Sequence, residues 1–241
     1  MHNPLAQFTV KPLIDIKIFG YDISFTNSSL FMCVTLLIIC IMCLLQGRKG
    51  RVVPGRIQMI NELVYDMVVN MVDSTSGKNG LPYVPFILSL YLFILLCNLS
   101  GMLPGAFTVT SHITITFALA IFIFCSVTIL GFIKHGLHYL KLFLPEGTPI
   151  VLMPLMFIIE LFAYLARPVS LSLRLAANMT AGHIILKVIA SFVIMAGFVG
   201  IFPFALLVVL DGFEIFIALL QAYIFSILTC VYLSDALNLH E

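Results

Sequence analysis

Charged side chains are scarce in this chain. Only 10% of its 241 residues are Asp, Glu, Lys or Arg, whereas 61% are hydrophobic. A typical soluble domain carries about 25% charged residues, so the composition excludes an ordinary soluble protein. The few cations are scattered and form no basic stripe that a phosphate backbone could follow, which excludes nucleic acid as a partner. The mean hydropathy of +1.15 indicates a polytopic integral membrane protein in contact with the lipid bilayer.

Familiar catalytic and cofactor motifs are also missing. The sequence contains no His-Glu-x-x-His motif, no Gly-x-Ser-x-Gly elbow and no phosphate-binding glycine loop. His135 and His138 are three residues apart, but without further ligands nearby they are predicted to be interfacial. The cysteines, mostly within apolar runs, are interpreted as small packing residues. We therefore expect no metal, no cofactor and no catalytic activity in this chain.

Apolar runs and cations predict the membrane topology. The positive-inside rule puts the basic residues after the first run, and those near position 134, on the cytoplasmic or matrix side. The N-terminal arm, which lacks the pattern of a secretory signal peptide, then lies on the periplasmic or intermembrane side, and the C-terminus on the cytoplasmic or matrix side. The predicted segments of a single membrane domain, 1–241, are an outer-side arm at 1–27, span 1 at 28–46, an amphipathic surface helix at 54–76, span 2 at 82–100, span 3 at 112–141, and long helices at 148–200 and 203–236.

The predicted fold class is an all-α integral membrane protein with about five transmembrane helices plus the surface amphipathic helix. The last two helices are too long to cross upright, because fifty residues at 1.5 Å each reach roughly 75 Å, over twice the hydrocarbon thickness. We expect the fifth segment to be strongly tilted, bent or split near Pro149, Pro154 or Pro168, and the two long helices to be oblique and to pack together as a hairpin.

One face of the fifth segment is polar. Glu160, Arg167 and Arg174 are spaced by seven residues, so successive members drift only about 20° around a helix. A guanidinium facing lipid costs roughly 2.5–3.5 kcal/mol on insertion scales, and arginine keeps its proton at any accessible pH. Ser170 and Asn178 lie on or beside the same face. Arg174 therefore needs a partner or water.

A second polar stripe follows the last segment. Asp211, Glu214 and Gln221 are separated by three and seven residues, which sets them on one side of a helix. Two facing polar stripes suggest a hydrated path. Because carboxyl and imidazole groups exchange protons, His183 and Glu214, together with Glu160 on the other stripe, could relay them, whereas an arginine would attract a mobile carboxylate and block leakage.

A purely structural interpretation of these charges is open at this stage. The charged groups could pair with one another and hold the two helices in register. This interpretation suits Arg167, which precedes Pro168 and could pair with a carboxylate such as Glu160. It suits Arg174 less well, because an unpaired guanidinium among leucines is an expensive way to achieve packing.

Several motifs resemble subunit a of the F-type ATP synthase, in the branch shared by alphaproteobacteria and mitochondria. The most specific is SLSLRLAANMTAGH at 170–183, with its Arg-Leu-x-x-Asn-Met-x-x-Gly-His pattern inside a membrane segment. The resemblance covers nearly the whole chain. Its other segments are SFTNSS at 24–29, CNLSGM at 97–102, LQAYIF at 220–225 and YLSDALNLH at 232–240.

The resemblance implies a stator subunit against which a ring of subunit c rotates, with subunit b of the peripheral stalk and the rest of the synthase as further partners. Arg174 matches the essential arginine that faces the ring carboxylates, so the two long helices are expected to pack against the c-ring. Positions lining the inner-side channel match Glu160 and Asn178. Positions of the outer-side channel match His183, Glu214 and Gln221. Asp211 matches no family position. Its place in the outer-side channel rests only on its helical spacing to Glu214 and Gln221.

Two other functions are compatible with buried charges. A stand-alone secondary proton antiporter would use the same carboxylates, although such transporters show inverted repeats that are not evident here. A scaffold would only pair its charges. Reconstitution separates the three, because a stator conducts protons only with its ring, an antiporter works alone and a scaffold conducts none. A bacterial inner membrane is the favoured location, with the mitochondrial inner membrane as the alternative.

Overall fold

A computed structural model describes residues 12–14, 17–18, 21–22, 24–47, 55–103, 107–143, 152–196 and 200–238. Helices dominate these ranges, as the apolar composition predicts. They are α1 (Asn27–Gly47), α2 (Arg56–Ser76), α3 (Val84–Gly101), α4 (Ile113–His135), α5 (Met153–Ala196) and α6 (Ile201–Leu237), with short 3₁₀ segments at Gly77–Tyr83, Val109–Ser111 and Gly136–Phe143.

The described residues of the N-terminal arm form four short strands. β1 (Pro12–Ile14) pairs antiparallel with β4 (Phe25–Thr26), and β2 (Lys17–Ile18) pairs antiparallel with β3 (Tyr21–Asp22). The arm therefore folds back on itself as nested hairpins. Such pairing satisfies backbone hydrogen bonds in a segment too polar to continue as an apolar helix.

Five segments are long and apolar enough to cross a membrane by length and composition. Within the described part of the chain they are Asn27–Leu44, Gln58–Gly101, Ile113–His135, Met153–Ala196 and Ile201–Leu237. This confirms the prediction of an all-α, multi-pass membrane protein. The second segment includes α2, so the position of that helix on a membrane surface stays a prediction.

The fifth segment, which contains three prolines, does not split within its described residues. α5 runs without interruption through 44 residues, about 66 Å of helix. Pro154 lies in the first turn, where its missing N–H would have no intrahelical partner. Pro168 lies inside the helix, which continues past it. No split occurs at Pro154 or Pro168, so a tilt or bend of this helix stays a prediction, and Pro149 lies outside the described residues.

The chain divides into two compact units that share its long helices. The first unit comprises Met1–Arg51, Tyr91–Ile115 and Leu175–Tyr223. Its core includes Ile94, Leu175 and Met179. A buried hydrogen bond crosses between helices of this unit, where the Asn98 side-chain amide donates to the Ala218 carbonyl at 3.3 Å.

The second unit comprises Val52–Leu90, Thr116–Arg174 and Ile224–Glu241. Here the end of α2 is held against α6 through carbonyls that have no intrahelical donor. Ser234 Oγ donates to the Thr75 carbonyl at 2.9 Å, and Asn238 Nδ2 donates to the Ser76 carbonyl at 3.3 Å. Lys134 and His135 lie near the Leu237 carbonyl at 3.1 and 3.3 Å, which satisfies the C-terminal end of α6.

The cysteines only partly follow the packing interpretation. Cys97 and Cys230 are buried, whereas the others are exposed on the surface of the chain: Cys33, Cys40, Cys43 and Cys125. Cys40 and Cys43 have the spacing of a Cys-x-x-Cys pair, but both are free thiols. An apolar run predicts which residues avoid water, and it does not tell a packed helix face from a face open to lipid or to a partner.

Candidate functional site

The first unit brings together four of the predicted site residues in two pairs. Asn178 Nδ2 on α5 donates a hydrogen bond to Gln221 Oε1 on α6 at 3.2 Å. Further along, His183 Nδ1 lies 3.4 Å from Glu214 Oε1. As the residue number rises on α5 it falls on α6, so the two helices run antiparallel where these pairs meet.

The His183–Glu214 pair is almost completely shielded, with side-chain exposures of 8% and 6%. A separation of 3.4 Å allows an ion pair but exceeds an ordinary hydrogen bond of about 2.7–3.2 Å. Within the described residues, neither oxygen of Glu214 has a hydrogen-bond partner. Such a carboxyl group in an apolar interior is expensive unless it holds a proton or shares one. The pair is therefore a chemically plausible point for proton exchange.

Gly182 makes this close approach possible. A Cβ atom added at Gly182 would lie 2.7 Å from Glu214 Oε1 and 3.0 Å from its Cδ. Any side chain here would push the carboxyl group away from α5. The glycine of the AGH sequence at 181–183 thus determines how near the acid can come to the neighbouring imidazole.

Loop residues complete the surroundings of His183. Thr108 Oγ1 lies 3.0 Å from His183 Nε2, inside the buried interior of the unit. One turn earlier on α5, Thr180 Oγ1 donates to the Ser111 carbonyl at 3.1 Å. The 3₁₀ segment Val109–Ser111 is thereby attached to α5 on the side of the imidazole.

Arg174 is exposed on the surface of the chain. Among the residues that the structure describes, no carboxylate forms an ion pair with it. Its neighbours Leu171 and Leu175 are buried, while Leu173 is 47% exposed. The guanidinium therefore lies on the outward face of an apolar helix and not in the interior of the second unit, to which Arg174 belongs.

The remaining predicted site residues are more scattered. Ser170 is exposed in the second unit, and Glu160 is half-buried there. Asp211 is exposed in the first unit, three residues before Glu214 on α6. Within the described ranges, no hydrogen bond or ion pair joins Glu160, Ser170 or Asp211 to another site residue.

Arg167 pairs with Asp235 on α6 and not with Glu160. Its Nη1 donates to Asp235 Oδ2 at 2.7 Å, and the two side chains are 24% and 29% exposed. The guanidinium also lies over two aromatic rings, with its Cζ 5.2 Å from the centre of the Tyr164 ring and 5.0 Å from that of Tyr232. Arginine suits this position because its planar guanidinium can stack on aromatic rings and can donate two parallel hydrogen bonds to a carboxylate. The structural interpretation of Arg167 therefore has direct geometric support.

A hydroxyl chain continues from this cluster inside the second unit. The Tyr164 hydroxyl lies 2.7 Å from Thr128 Oγ1 and 3.1 Å from the Tyr139 hydroxyl. Tyr139 has no exposed surface. These polar groups satisfy one another in the interior, as buried hydroxyls require.

Sequence reasoning missed several of these contributors. Gly182 stood inside the quoted motif, where its missing side chain could have suggested a close helix contact. The positions of Thr108 and Asp235 carry no such signal, because their partners are distant in sequence and only the tertiary fold brings them near. Among the described residues, no group of three or more His, Cys, Asp or Glu side chains could hold a metal ion.

The comparison with protein families now decides the assignment. The family described as ATP synthase A chain matches residues 29–234, which covers most of the chain and both polar pairs. The chain belongs to the ATP synthase A chain family. It is subunit a of an F-type ATP synthase, a non-catalytic, proton-translocating subunit of the Fo membrane sector. The resemblance read from the motifs is confirmed at this level.

Membership of the ATP synthase A chain family also implies assembly. A subunit of this family works as part of the whole synthase, beside the other Fo components. The exposed apolar surface of α5 and α6 is consistent with a chain that is not surrounded by water.

Replacing Gly182 by Ala is expected to separate Glu214 from His183. Alanine normally favours a helix by about 1 kcal/mol over glycine, but here the added Cβ meets the carboxyl group. We expect an assembled synthase with proton-driven ATP synthesis lowered several-fold. The matched control is Gly212→Ala, because a Cβ at Gly212 meets nothing within 4 Å. Equal synthesis rates in vesicles of the two variants would contradict the close-approach argument.

Removing either partner of the Arg167–Asp235 ion pair is expected to destabilise the second unit by about 2 kcal/mol, as for a hydrogen bond between charged groups. Arg167→Ala, Asp235→Ala and the double variant form a cycle that isolates the pair, read as the thermal inactivation of purified synthase. Arg167→Lys should recover only part of the loss, since it keeps the charge but not the flat contact with two rings. Additive effects of the two single changes would show that the pair is not coupled.

Proposed function

We propose that Arg174 faces the carboxylates of a rotating c-ring and that the chain supplies two offset proton half-channels, one on each side of the membrane. The observation that carries this proposal is an exposed arginine on an apolar helix, with no ion-pair partner among the described residues. In a lipid environment such a cation costs roughly 2.5–3.5 kcal/mol. A carboxylate on another subunit relieves this cost.

Small side chains around Arg174 support a close approach by a partner helix. Ser170, Ala177 and Ala181 are all exposed, and they lie at helical spacing on the side of α5 that carries the arginine. Side chains of this size allow two helices to come near each other. The proposed occupant of this face is the outer helix of each c subunit as it passes.

The outer half-channel is proposed to include His183 and Glu214. These two groups are buried, close together and able to exchange a proton. Asp211 is exposed three residues before Glu214 on α6, and we place it toward the entrance. The Asn178–Gln221 hydrogen bond supports a position for these two amides between the His183–Glu214 pair and Arg174 along α5.

The inner half-channel is proposed to pass Glu160 and Ser170. Both are on α5, and neither is bonded to another described site residue, so both are free to contact water. By resemblance, Asn178 matched the inner-side positions. Its hydrogen bond to Gln221 favours a position between the two half-channels. Arg167 is not part of the path, because its ion pair and two aromatic contacts account for it.

The arginine makes proton transfer directional. A ring carboxylate beside Arg174 is stabilised in its ionised form, so it releases its proton to the inner half-channel. The ring carboxylate takes up a proton again only after it leaves the guanidinium for the outer half-channel. Since arginine does not give up its own proton, direct passage between the half-channels is blocked. Each charge moved down the potential supplies about 2.3 kcal/mol per 100 mV, which drives rotation.

The proposed partners follow from this mechanism. They are the c-ring, subunit b of the peripheral stalk and the remaining synthase subunits. The proposed location is an inner membrane, bacterial by preference and mitochondrial as the alternative. The N-terminus would lie on the periplasmic or intermembrane side and the C-terminus on the cytoplasmic or matrix side.

Arg174→Ala is expected to abolish proton-driven ATP synthesis while leaving assembly intact, because the ring carboxylate loses the cation that ionises it. Synthesis by inner-membrane vesicles measures this directly, with subunit content checked on the purified complex. The matched control is Arg56→Ala, an exposed arginine on α2. Normal synthesis by the Arg174 variant would refute the proposed role.

Glu214→Gln is expected to slow proton flow by about a hundredfold, the lower end of the usual range for loss of an acid–base group. The pH profile of ATP-driven proton pumping should lose the contribution of this carboxyl, while the neighbouring side chains of His183, Asp211 and Lys187 remain in place. Glu62→Gln, on the exposed face of α2, is the control. An unchanged rate and pH profile would return Glu214 to a structural role.

A further inference from the structure

Thr108 contacts two groups at once. It follows α3 in the chain, directly before the 3₁₀ segment Val109–Ser111, and is only 1% exposed. Its hydroxyl oxygen lies 3.0 Å from His183 Nε2 and 3.2 Å from the carbonyl oxygen of Gly101. The first is an ordinary hydrogen-bond distance, and the second is that of a long hydrogen bond between two oxygen atoms.

A count of protons assigns the direction of these bonds. The Thr108 hydroxyl has a single hydrogen, and the Gly101 carbonyl can only accept. Gly101 is the last residue of α3, so its carbonyl has no donor within the helix and needs one from elsewhere. When both bonds are made, the Thr108 hydroxyl donates to Gly101. The nitrogen of His183 that faces Thr108 must then be the donor.

The other imidazole nitrogen is the one that faces the acid. His183 Nδ1 lies 3.4 Å from Glu214 Oε1, and Gly182 leaves room for that approach. With Nε2 permanently protonated, Nδ1 has a lone pair unless it takes up a second proton. A proton exchanged at this pair is therefore held either by Nδ1 or by the Glu214 carboxyl group.

We propose that Thr108 is a positioning residue that holds His183 with its Nε2 protonated and its Nδ1 directed at Glu214. This inference rests on the proposed function of the pair in the outer half-channel. The proton that moves is the one at Nδ1 or Oε1, while the Nε2 proton stays on the imidazole throughout. Only N–H and O–H bonds form and break, and no co-reactant is needed.

The protonation of His183 in the unmodified synthase tests the proposal directly. Complex labelled with ¹⁵N-histidine is compared with the His183→Gln variant, so that the difference spectrum contains the two nitrogens of His183. The expected spectrum shows Nε2 protonated, whatever the state of Nδ1. An unprotonated Nε2 with a protonated Nδ1 would overturn the proposal without any change at Thr108.

Two substitutions at Thr108 test its role. Thr108→Val keeps the shape and removes the hydroxyl, so Nε2 loses its acceptor and the tautomer protonated on Nδ1 should appear. Loss of one hydrogen bond, about 1 kcal/mol, corresponds to roughly a fivefold fall in proton-driven synthesis. Thr108→Ser keeps the hydroxyl and should restore both the spectrum and the rate. An unchanged spectrum and rate in Thr108→Val would overturn the proposal.

The control is Thr229→Val. Thr229 is a buried threonine whose hydroxyl donates to the Phe225 carbonyl one turn earlier on its own helix. This variant should leave the His183 spectrum unchanged. A shift of equal size in Thr229→Val would show that Thr108 acts through general packing, which contradicts the proposal. If Thr108→Val fails to assemble, the spectrum of unmodified complex and the Thr108→Ser variant still decide it.

Failure of this inference is distinguishable from failure of the proposed function. If Glu214→Gln conducts protons normally, the outer half-channel is wrong, whatever the spectrum of His183 shows. If Glu214→Gln slows proton flow but His183 has its proton on Nδ1, the half-channel stands and the role of Thr108 is wrong.

Discussion

Polar groups in an apolar environment need partners, and this constraint organises the chain. Several charged or hydrogen-bonding side chains in the long helices find a partner in their own unit, and others lie on an outward face. Arg167 finds Asp235 and two aromatic rings, and Asn178 finds Gln221. Arg174 has no ion-pair partner among the described residues, and this difference supports the proposed contact of Arg174 with another subunit.

The same constraint explains the composition of the site. His183 and Glu214 are buried, but their separation is longer than a strong hydrogen bond. A pair held more tightly would be a stable ion pair, and it would exchange protons less readily. Gly182 and Thr108 act on this balance from two sides, since the first allows the approach of the acid and the second orients the imidazole.

Sequence reasoning identified many of the polar residues but only some of their partners. Heptad spacing correctly put Arg167 and Arg174 on the same helix, yet it suggested Glu160 as a partner for Arg167. The partner is Asp235, which lies 68 residues away in sequence. Helical spacing relates residues of one helix, and it contains no information on the register between two helices. For the same reason the stripes did not predict the contact of a loop threonine with His183.

Some properties of this protein follow from the sequence alone. Scarce charge and long apolar runs determine an all-α membrane protein, because only helices with internally satisfied backbones remain in such segments. The motif around Arg174 determines the family, since an arginine in that pattern within a membrane segment is highly specific. The tertiary structure alone decided which cation is paired and which is exposed, that α5 continues through Pro168, and that Thr108 meets His183. These features depend on packing between segments distant in sequence, where side-chain size and helix register decide which polar atoms meet.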